Sequence, residues 1–323
     1  MYAIRIHKRG GPEVMIQEEI PRPTPGPGEV LIEVANAGVN YADIGQRTGA
    51  YPNQMPLPAT LGYEVAGIVA ELGPGVSGIM VGQRVVSHVE GGYAEFAVAS
   101  VDEVTPLPDG VDFGDATAIP VQGITADLLL ENAGRLHAGE AVLVHAAAGG
   151  VGSLAVQLAR QRGASLIIGS TRSAAKAETV RELGADLVIN SADSDWPGEV
   201  RAATRGRGVD IVLDPIGGQA TQGGLACLAP FGRLIVYGGL SDQPSPLVAQ
   251  QLIRDCLQIG GFNTPAQRPE DRARAAGRLV ASLASGELRV LRGPTFPLSE
   301  AAAAQIALAA GLTEGKVVLA VER

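Results

Sequence analysis

The run AVLVHAAAGGVG, which begins at residue 141, constrains the fold more than any other stretch of the chain. An apolar, β-rich segment at Val142–Val144 leads directly into a turn that contains Gly149, Gly150 and Gly152. An uncharged, helix-forming segment, Ser153–Ala159, follows at once. This order of strand, turn and helix is the context in which a glycine motif binds the pyrophosphate of a dinucleotide.

The spacing of the glycines supports the same interpretation. Gly149 and Gly152 match the last two glycines of the pattern G-x-G-x-x-G, and Ala147 replaces the first. Glycine lets the main chain approach phosphates that a side chain would keep away, and the following helix presents N–H groups and the positive end of its dipole. The run therefore predicts a site for an anionic nucleotide.

Length and charge limit the other function classes. At 323 residues the chain exceeds what one core usually holds, so two domains are expected. The net charge of −9, the lack of a basic run and the 4% aromatic content exclude nucleic acid and an anionic membrane as partners. Lysine occurs only at Lys8, Lys176 and Lys316, which makes the location of each of interest.

The cysteines and the apolar segments indicate a cytoplasmic protein. Cys227 and Cys256 both lie in apolar sequence, so we expect two buried, reduced thiols. No apolar core follows the first positive residues, which predicts that there is no signal peptide. Ala141–Ala159 is uncharged and nearly long enough to span a membrane, but its three glycines and its change of pattern indicate a buried turn instead.

The chain changes character near residue 122. From Met1 to about Val121, short β runs alternate with Gly and Pro turns, and a closing strand is predicted at Val317–Val321. The β runs are Val30–Val34, Val65–Ala70, Arg84–Val89 and Tyr93–Ala99. Two alanine-rich helices, at about 270–284 and 299–311, precede the closing strand, and we expect this tail to pack on the first domain.

Strands and helices alternate from about 123 to 261, which predicts a parallel, doubly wound sheet. The strand candidates are 141–145, 164–169, 186–189, 209–213, 232–237 and 257–260. The helix candidates are 153–162, 173–183, 197–204 and 218–228. The apolar stretch Arg233–Gly238 is a candidate edge strand for pairing with a second copy, and ordinary burial in the sheet is the alternative.

The end of the second strand of this sheet indicates which nucleotide is bound. A carboxylate there would hold the ribose diol of NAD(H) and repel a 2′-phosphate. This chain has Ser170, Thr171 and Arg172 at that point, and Lys176 follows. Small hydroxyls and two cations favour NADP(H). The alternative is that Ser170 or Thr171 only caps the following helix.

Two further groups of residues are candidates for a site. One is Gly38–Asp43 with Gly49–Pro52 and Leu61–Glu64, which by composition are turns and the start of a helix. The other is Leu213–Gly218, where Asp214 follows an apolar strand at the edge expected to face the nicotinamide. Asp214 as a helix cap is the alternative.

With these motifs in place, the sequence resembles the zinc-independent quinone oxidoreductases (zeta-crystallin-like) of the medium-chain dehydrogenase/reductase superfamily. The resemblance covers essentially the whole chain. Its markers are Gly38–Asp43, Leu61–Gly67, Gly91–Ala97, Pro120–Leu130, His145–Gly152, Gly184–Asn190 and Gly315–Leu319.

The resemblance implies a GroES-like, β-rich catalytic domain (1–122, completed by 263–323), a Rossmann domain (123–262), a homodimer, and NADPH in the cleft between the domains. It implies that Asn40, Tyr51 and Tyr41 line the acceptor site. The NADP(H)-binding residues expected on the same basis are Ala147, Gly149, Gly150, Val151, Gly152, Ser170, Thr171, Arg172, Lys176, Asp214 and Gly238.

The sequence departs from its relatives at two kinds of position. Many members carry a phosphate-binding tyrosine after the third Rossmann strand, where this chain has Ser191. The alcohol dehydrogenases of the superfamily hold catalytic zinc at positions that are Asn40 and Tyr63 here. There is no Cys-x-x-Cys pair for structural zinc, and the four histidines are scattered, so no metal is expected.

Together these features predict an NADPH:quinone oxidoreductase. Without a Lewis acid, an acceptor that spreads negative charge by conjugation, such as a quinone or an enone, suits the site better than a simple ketone. One alternative is an enoyl-thioester reductase, although Arg47 is the only basic residue near Asn40–Pro58 for binding a carrier. The other is a non-catalytic, crystallin-like NADPH-binding protein.

Overall fold

The computed structural model describes residues 1–51, 53–241, 243–247 and 249–322. They form two compact units, Met1–Ile124 with Pro269–Arg323, and Thr125–Arg268. The chain thus passes from one unit to the other after residues 124 and 268, where the sequence suggested 122 and 262. As expected, the C-terminal segment belongs to the first unit.

The first part of the first unit is mainly β-structure. Its elements are β1 (Tyr2–Ile6), β2 (Ile16–Glu19), β3 (Glu29–Val39), α1 (Tyr41–Thr48), β4 (Ala59–Thr60), β5 (Glu64–Leu72), β6 (Arg84–His88), β7 (Phe96–Ser100), β8 (Val104–Pro106) and α2 (Phe113–Ala116). A π-helical turn at Ile119–Gly123 precedes α3 (Ile124–Leu128), and another follows at Leu129–Ala133.

The second unit alternates strands and helices as predicted. Its elements are β9 (Ala141–Val144), α4 (Gly150–Gln161), β10 (Leu166–Thr171), α5 (Ala177–Glu182), β11 (Leu187–Asn190), α6 (Trp196–Ala203), β12 (Val209–Asp214), α7 (Gln219–Cys227), β13 (Leu228–Val236), α8 (Ala249–Arg254) and β14 (Gln258–Gly261). The tail adds α9 (Pro269–Ser285), β15 (Arg292–Pro297), α10 (Ala301–Ala309) and β16 (Lys316–Ala320) to the first unit.

The sheet of the second unit is parallel throughout, in the order β11-β10-β9-β12-β13-β14. All four residues of β9 are buried, because helices on both faces of a parallel sheet leave no polar face. The strand order reverses between β9 and β12, and in open α/β sheets ligands bind at the carboxyl ends of the strands at such a point.

The structure decides between the two alternatives for Arg233–Gly238. The stretch lies inside the sheet, because β13 pairs with both β12 and β14, and β14 is the outer strand. One expectation for this unit is wrong. Cys227 is buried as expected, but Cys256 is exposed, because it lies in the turn between α8 and β14 and has a φ of 54°. Apolar neighbours in the sequence did not imply burial of this thiol.

The larger sheet of the first unit depends on the tail. Its order is β15-β16-β3-β5-β6-β8, with β7 also paired with β3. The strand β16 runs antiparallel to the second half of β3. Val317 is paired with Val39, the last residue of β3, so Lys316 lies just beyond the end of β3. Buried apolar side chains from β3, β5, β6, β16 and α10 form one core. No helix among the described residues is long and apolar enough to cross a membrane.

Candidate functional site

The glycine turn lies at the carboxyl end of β9, where the strand order reverses. The N–H of His145 still donates to Leu213 O (3.1 Å), so the turn begins beside the end of β12. After the turn, α4 begins at Gly150 with no acidic residue in its first turn. The first N–H groups of a helix have no partner within it, and together with the helix dipole they attract an anion.

Close packing explains the glycines of the turn. A Cβ at Gly152 would overlap the carbonyl oxygen of Ala146 and lie 2.8 Å from Ala147 Cα. A Cβ at Gly149 would lie 3.1 Å from the same oxygen. The N–H of Ala147 donates to Ser170 O (2.9 Å), which ties the turn to β10. Gly152 therefore lets α4 approach the turn, and the predicted strand–turn–helix motif is confirmed.

The end of β10 differs from the prediction, because the strand continues two residues further, to Thr171. Ser170 is fully buried, and its hydroxyl lies 2.8 Å from His145 Nδ1. The side chain of Ser170 therefore lies in the interior of the second unit. Thr171 Oγ1 accepts the N–H of Ser173 (3.1 Å), a local turn contact of the kind proposed as the alternative to phosphate binding. Arg172 is exposed and Lys176 is partly exposed at the start of α5.

His145 is a functional candidate that the sequence did not single out. Its ring is fully buried and packs edge-on against Trp196, with 5.0 Å between the centroids. Burial lowers the pKa of His145 to about 4, and the charge of Asp214 opposes this effect. Nε2 has no partner among the described residues. A neutral imidazole thus links the glycine turn to β10 through Ser170.

Asp214 shapes the turn that follows β12. Its Oδ1 accepts the N–H groups of Ile216 (2.7 Å) and Gly217 (3.1 Å), and its Oδ2 accepts the hydroxyl of Thr221 (2.6 Å). The side chain is fully buried, so this arrangement matches the capping alternative. Gly238 lies two residues after β13, and a Cβ there would lie 2.7 Å from Pro215 O.

A buried polar cluster in the first unit surrounds Asn40. Asn40 Nδ2 donates to Glu64 Oε1 (2.6 Å), and its Oδ1 accepts from Gln122 Nε2 (3.0 Å). Lys316 forms an ion pair with Glu64 and lies 3.4 Å from Asn40 Oδ1. Glu64 Oε2 accepts the N–H of Val121 (3.0 Å) in the π-helical turn. The carboxamide of Asn40 is therefore held by three side chains.

Asp43 lies beside this cluster and caps α1. Its Oδ2 accepts the N–H of Asn40 (2.7 Å) and the hydroxyl of Tyr93 (2.8 Å), whereas Oδ1 is buried without a partner among the described residues. Burial raises the pKa of Asp43 to about 7. Arg47, on the next turn of α1, is buried and donates to Gln305 Oε1 (2.7 Å).

Three tyrosines near α1 differ in what their hydroxyls do. The hydroxyl of Tyr41 donates to Leu308 O (2.8 Å). The hydroxyl of Tyr51 makes no hydrogen bond with the described residues. The ring of Tyr51 lies 6.0 Å from that of Tyr63, which stacks on His88 at 5.8 Å. Burial raises the pKa of Tyr51 and of Tyr63.

Sequence reasoning missed Glu64 and Gln122 as partners of Asn40. The rarity of lysine was a signal for Lys316, but nothing local indicated its partner, which lies 252 positions away. The polar character of Gln122 in an otherwise apolar segment was a second signal. Its Oε1 is buried with no partner in the described part of the chain.

Comparisons with known proteins agree with this architecture. The profile of the alcohol dehydrogenase GroES-like domain matches residues 26–109, and the profile described as zinc-binding dehydrogenase matches residues 150–282. The 2-haloacrylate reductase of a Burkholderia species is 35% identical and covers 97% of both chains. The quinone oxidoreductase of Pseudomonas aeruginosa is 34% identical over 96% of both.

Solved structures extend the likeness to three dimensions. Escherichia coli quinone oxidoreductase, solved with NADPH, superimposes with a TM-score of 0.93 at 31% identity and covers 99% of this chain and all of its own. The mycobacterial protein Rv1454c, also solved with NADPH, gives 0.93 at 35% identity over the same shares. The chain therefore belongs to the quinone oxidoreductase family of the medium-chain dehydrogenase/reductase superfamily.

Proposed function

We propose that this protein is an NADPH-dependent reductase that transfers a hydride to conjugated acceptors, namely quinones and other α,β-unsaturated carbonyl compounds. The observation that carries the proposal is the glycine turn at the point where the strand order reverses, followed by the cations Arg172 and Lys176 after β10. The similar proteins include quinone oxidoreductases and a 2-haloacrylate reductase, whose substrates share a conjugated, electron-poor double bond.

The residues of the turn fit the cofactor. The backbone of Ala147–Gly152 forms a cradle that a Cβ at Gly152 would fill, and α4 begins there without a negative charge. In this proposal the turn and the start of α4 hold the pyrophosphate. When bound, NADPH supplies a hydride from its nicotinamide ring to the acceptor. Gly238 and Pro215 bring backbone close together at the carboxyl ends of β12 and β13, where the nicotinamide end would lie.

Arg172 and Lys176 are proposed to bind the 2′-phosphate. No acidic residue lies between 170 and 176, so nothing in this segment repels the phosphate. Arg172 is exposed, and no carboxylate of the described residues pairs with its guanidinium. Thr171 ends β10, and its hydroxyl is engaged in the local turn with Ser173, so we assign it no direct contact with the phosphate. Ser170 is left out, because its hydroxyl contacts His145.

We propose that the reaction proceeds without zinc. The positions that hold zinc in the alcohol dehydrogenases of the superfamily are Asn40 and Tyr63, and neither side chain is a usual zinc ligand. Within the described ranges, no group of three His, Cys, Asp or Glu side chains is suited to a metal ion. The acceptor must then carry the developing negative charge by conjugation, with help from hydrogen-bond donors.

On the acceptor side, the geometry favours Tyr51 and Asn40 over Tyr41. Tyr51 is partly exposed and its hydroxyl is unengaged among the described residues, so it can donate to an acceptor oxygen. Asn40 is held rigidly by Glu64 and Gln122, which suits a group that orients its neighbours. Arg47 is buried, so it offers no basic group for a thioester carrier, and we favour small free acceptors.

A cofactor titration tests the proposal directly. We expect NADPH to bind at least tenfold more tightly than NADH, measured by quenching of protein fluorescence, because the 2′-phosphate gains charge-assisted hydrogen bonds. Arg172→Glu should weaken NADPH binding about 10–100-fold and leave NADH binding nearly unchanged. Lys8→Glu makes the same charge change on an exposed residue of the other unit and should have no effect.

Turnover separates an enzyme from a passive binder. We expect oxidation of NADPH in the presence of 1,4-benzoquinone, followed by absorbance at 340 nm, with unchanged rates after dialysis against EDTA. If NADH bound more tightly than NADPH, the assignment of Arg172 and Lys176 to the 2′-phosphate would be wrong. A loss of activity with EDTA that added zinc restores would overturn the metal-free mechanism.

We also propose a cytoplasmic homodimer that pairs through β14. This strand is the outer strand of the parallel sheet, so one side of its backbone has no partner strand within the described ranges. Two large apolar side chains near it are exposed, Phe231 at 68% and Ile253 at 75%. The N–H of Phe231 donates to Asp255 O, which places both close to the start of β14. Light scattering should give twice the mass of one chain for the wild type. The double variant Phe231→Glu with Ile253→Glu should give the mass of a single chain.

A further inference from the structure

Tyr63 lies beside the proposed acceptor residue Tyr51 but had no assigned role. Its ring is tilted by 42° against Tyr51 at 6.0 Å and stacks at 16° on His88 at 5.8 Å. The side chain is partly exposed, and the residue directly precedes β5. The three rings therefore form one partly exposed aromatic group on the first unit.

The hydroxyl of Tyr63 has a defined direction of hydrogen bonding. Gln46 is fully buried, and its Oε1 accepts the N–H of Met55 (3.1 Å) while its Nε2 donates to Asn53 O (2.5 Å). These two backbone contacts fix the orientation of the carboxamide, because a flip would oppose both. The same Nε2 donates to the oxygen of Tyr63 (2.6 Å).

Since the oxygen of Tyr63 accepts from Gln46, its own proton is left to donate elsewhere. No acceptor for this proton lies among the described residues. Burial raises the pKa of Tyr63, so the phenol keeps its proton at neutral pH. The result is an O–H donor beside Tyr51 that the protein itself does not use.

The proposed reaction needs such a donor. Addition of hydride to the β-carbon of a conjugated carbonyl breaks the carbon–carbon π bond and places the electron pair on the carbonyl oxygen as an enolate. The enolate of an enone then takes a proton from water at its α-carbon, whereas that of a quinone tautomerises to the hydroquinone anion. Tyr41 donates to Leu308 O, and Asn40 Nδ2 donates to Glu64. Neither is free in the way that Tyr63 is. The hydroxyl of Tyr51 is also unengaged among the described residues, but only the oxygen of Tyr63 is held in place, by Gln46.

We infer that Tyr63 is a catalytic residue that donates a hydrogen bond from its phenol to the acceptor's carbonyl oxygen as negative charge builds on it. This inference rests on the proposed function. It assigns the stabilisation of this charge to a side chain at a position where the zinc-dependent members of the superfamily hold a metal ligand.

The test compares Tyr63→Phe with Tyr2→Phe, which removes an exposed hydroxyl from β1. With saturating NADPH and 2-cyclohexenone, Tyr63→Phe should lower kcat about 10–100-fold with little change in KM, because the lost hydrogen bond forms mainly in the transition state. The loss with 1,4-benzoquinone should be smaller, since a quinone spreads the charge over two oxygens. Tyr2→Phe should match the wild type with both acceptors.

Two further measurements separate chemistry from structure. Tyr63→4-aminophenylalanine keeps the ring and an N–H donor and should retain kcat within a few fold. In the NADP⁺-loaded protein, binding of 4-nitrophenolate, followed by its absorbance, should weaken about tenfold in Tyr63→Phe, because its charged oxygen would occupy the place of the acceptor oxygen.

The possible results are distinct. Any one of three results would remove Tyr63 from the reaction while the proposed function stood. They are equal losses of kcat with both acceptors, a kcat for Tyr63→Phe equal to that of the wild type, and unchanged binding of 4-nitrophenolate. If the wild type oxidised NADPH with neither acceptor, the proposed function would fail, and the inference would fail with it.

Discussion

The ammonium of Lys316 and the carboxylate of Glu64 form an ion pair that solvent does not reach, with 1% and 0% of the two side chains exposed. The pair joins the first residue of β16 to the first residue of β5. Gly38 makes room for it, because a Cβ at this position would overlap Glu64 Oε1 and Lys316 Nζ. Glu64 also holds Asn40 and the N–H of Val121, so one carboxylate organises the polar cluster.

Breaking this pair should be costly. Lys316→Met leaves the buried carboxylate of Glu64 without its counter-charge, and we expect the free energy of unfolding to fall by about 3–5 kcal/mol. Urea titration would measure this, with Lys8→Met, on an exposed lysine, as the control that stays within about 0.5 kcal/mol of the wild type. Adding Glu64→Gln to Lys316→Met should recover part of the loss. A fall below 1 kcal/mol for Lys316→Met would show that the pair contributes little.

Asp43 should make stability depend on pH. Its pKa is about 7 in the folded protein, against 3.8 as the ordinary value, so the folded state binds more protons than the unfolded state between these two pH values. The Asp43 contribution to the free energy of unfolding therefore falls as pH rises from about 4 to 7, by about 4 kcal/mol, and is constant above. Asp43→Asn should remove this fall, as urea titrations at several pH values would show. Parallel curves for variant and wild type would contradict it.

His145 should act in the opposite direction. Its pKa of about 4 lies below the ordinary value of 6.5, so the folded state binds fewer protons in this window. Its contribution to stability is complete above pH 6.5 and is lost as pH falls towards 4, by about 3 kcal/mol. His145→Phe should abolish this loss. The double variant with Asp43→Asn should show a flatter pH profile than either single variant.

Gly152 should be essential for cofactor binding. Gly152→Ala places a Cβ against Ala146 O and 2.8 Å from Ala147 Cα, so α4 must move away from the turn. We expect NADPH binding to weaken at least tenfold in a fluorescence titration, because the backbone N–H groups no longer point at the same place. Gly277→Ala, in α9 with no atom of the described residues within 4 Å of the new Cβ, should bind NADPH normally and gain about 0.5–1 kcal/mol of stability.

The sequence predicted the architecture of the second unit because its signals are local. Apolar runs such as 141–144 and 211–213, separated by helical patterns, give a parallel sheet whatever the side chains at its ends. The glycine turn could be predicted for the same reason, because the atoms that exclude a Cβ at Gly152 belong to Ala146 and Ala147, a few residues away in the sequence. Even the tail's return to the first unit followed from the lack of a linker before it.

The polar cluster around Asn40 could not be predicted in the same way. Its members come from the start of α1, from β5, from the π-helical turn and from β16, and no pattern in the sequence relates Glu64 to a lysine 252 positions later. Strand order is also a long-range property, and for this reason the sequence left open whether Arg233–Gly238 is an edge strand or an inner one. Ser170 faces inward because β10 is two residues longer than its apolar run.

The place of β16 in its sheet has a consequence for biosynthesis. This strand is paired between β15 and β3, yet it is translated after the whole of residues 125–268. On the ribosome, the second unit can therefore fold while the first still waits for a strand, and the far half of β3 remains open to pairing with other chains. Glu64 stays without its lysine for the same interval, so the domain that is begun first is completed last.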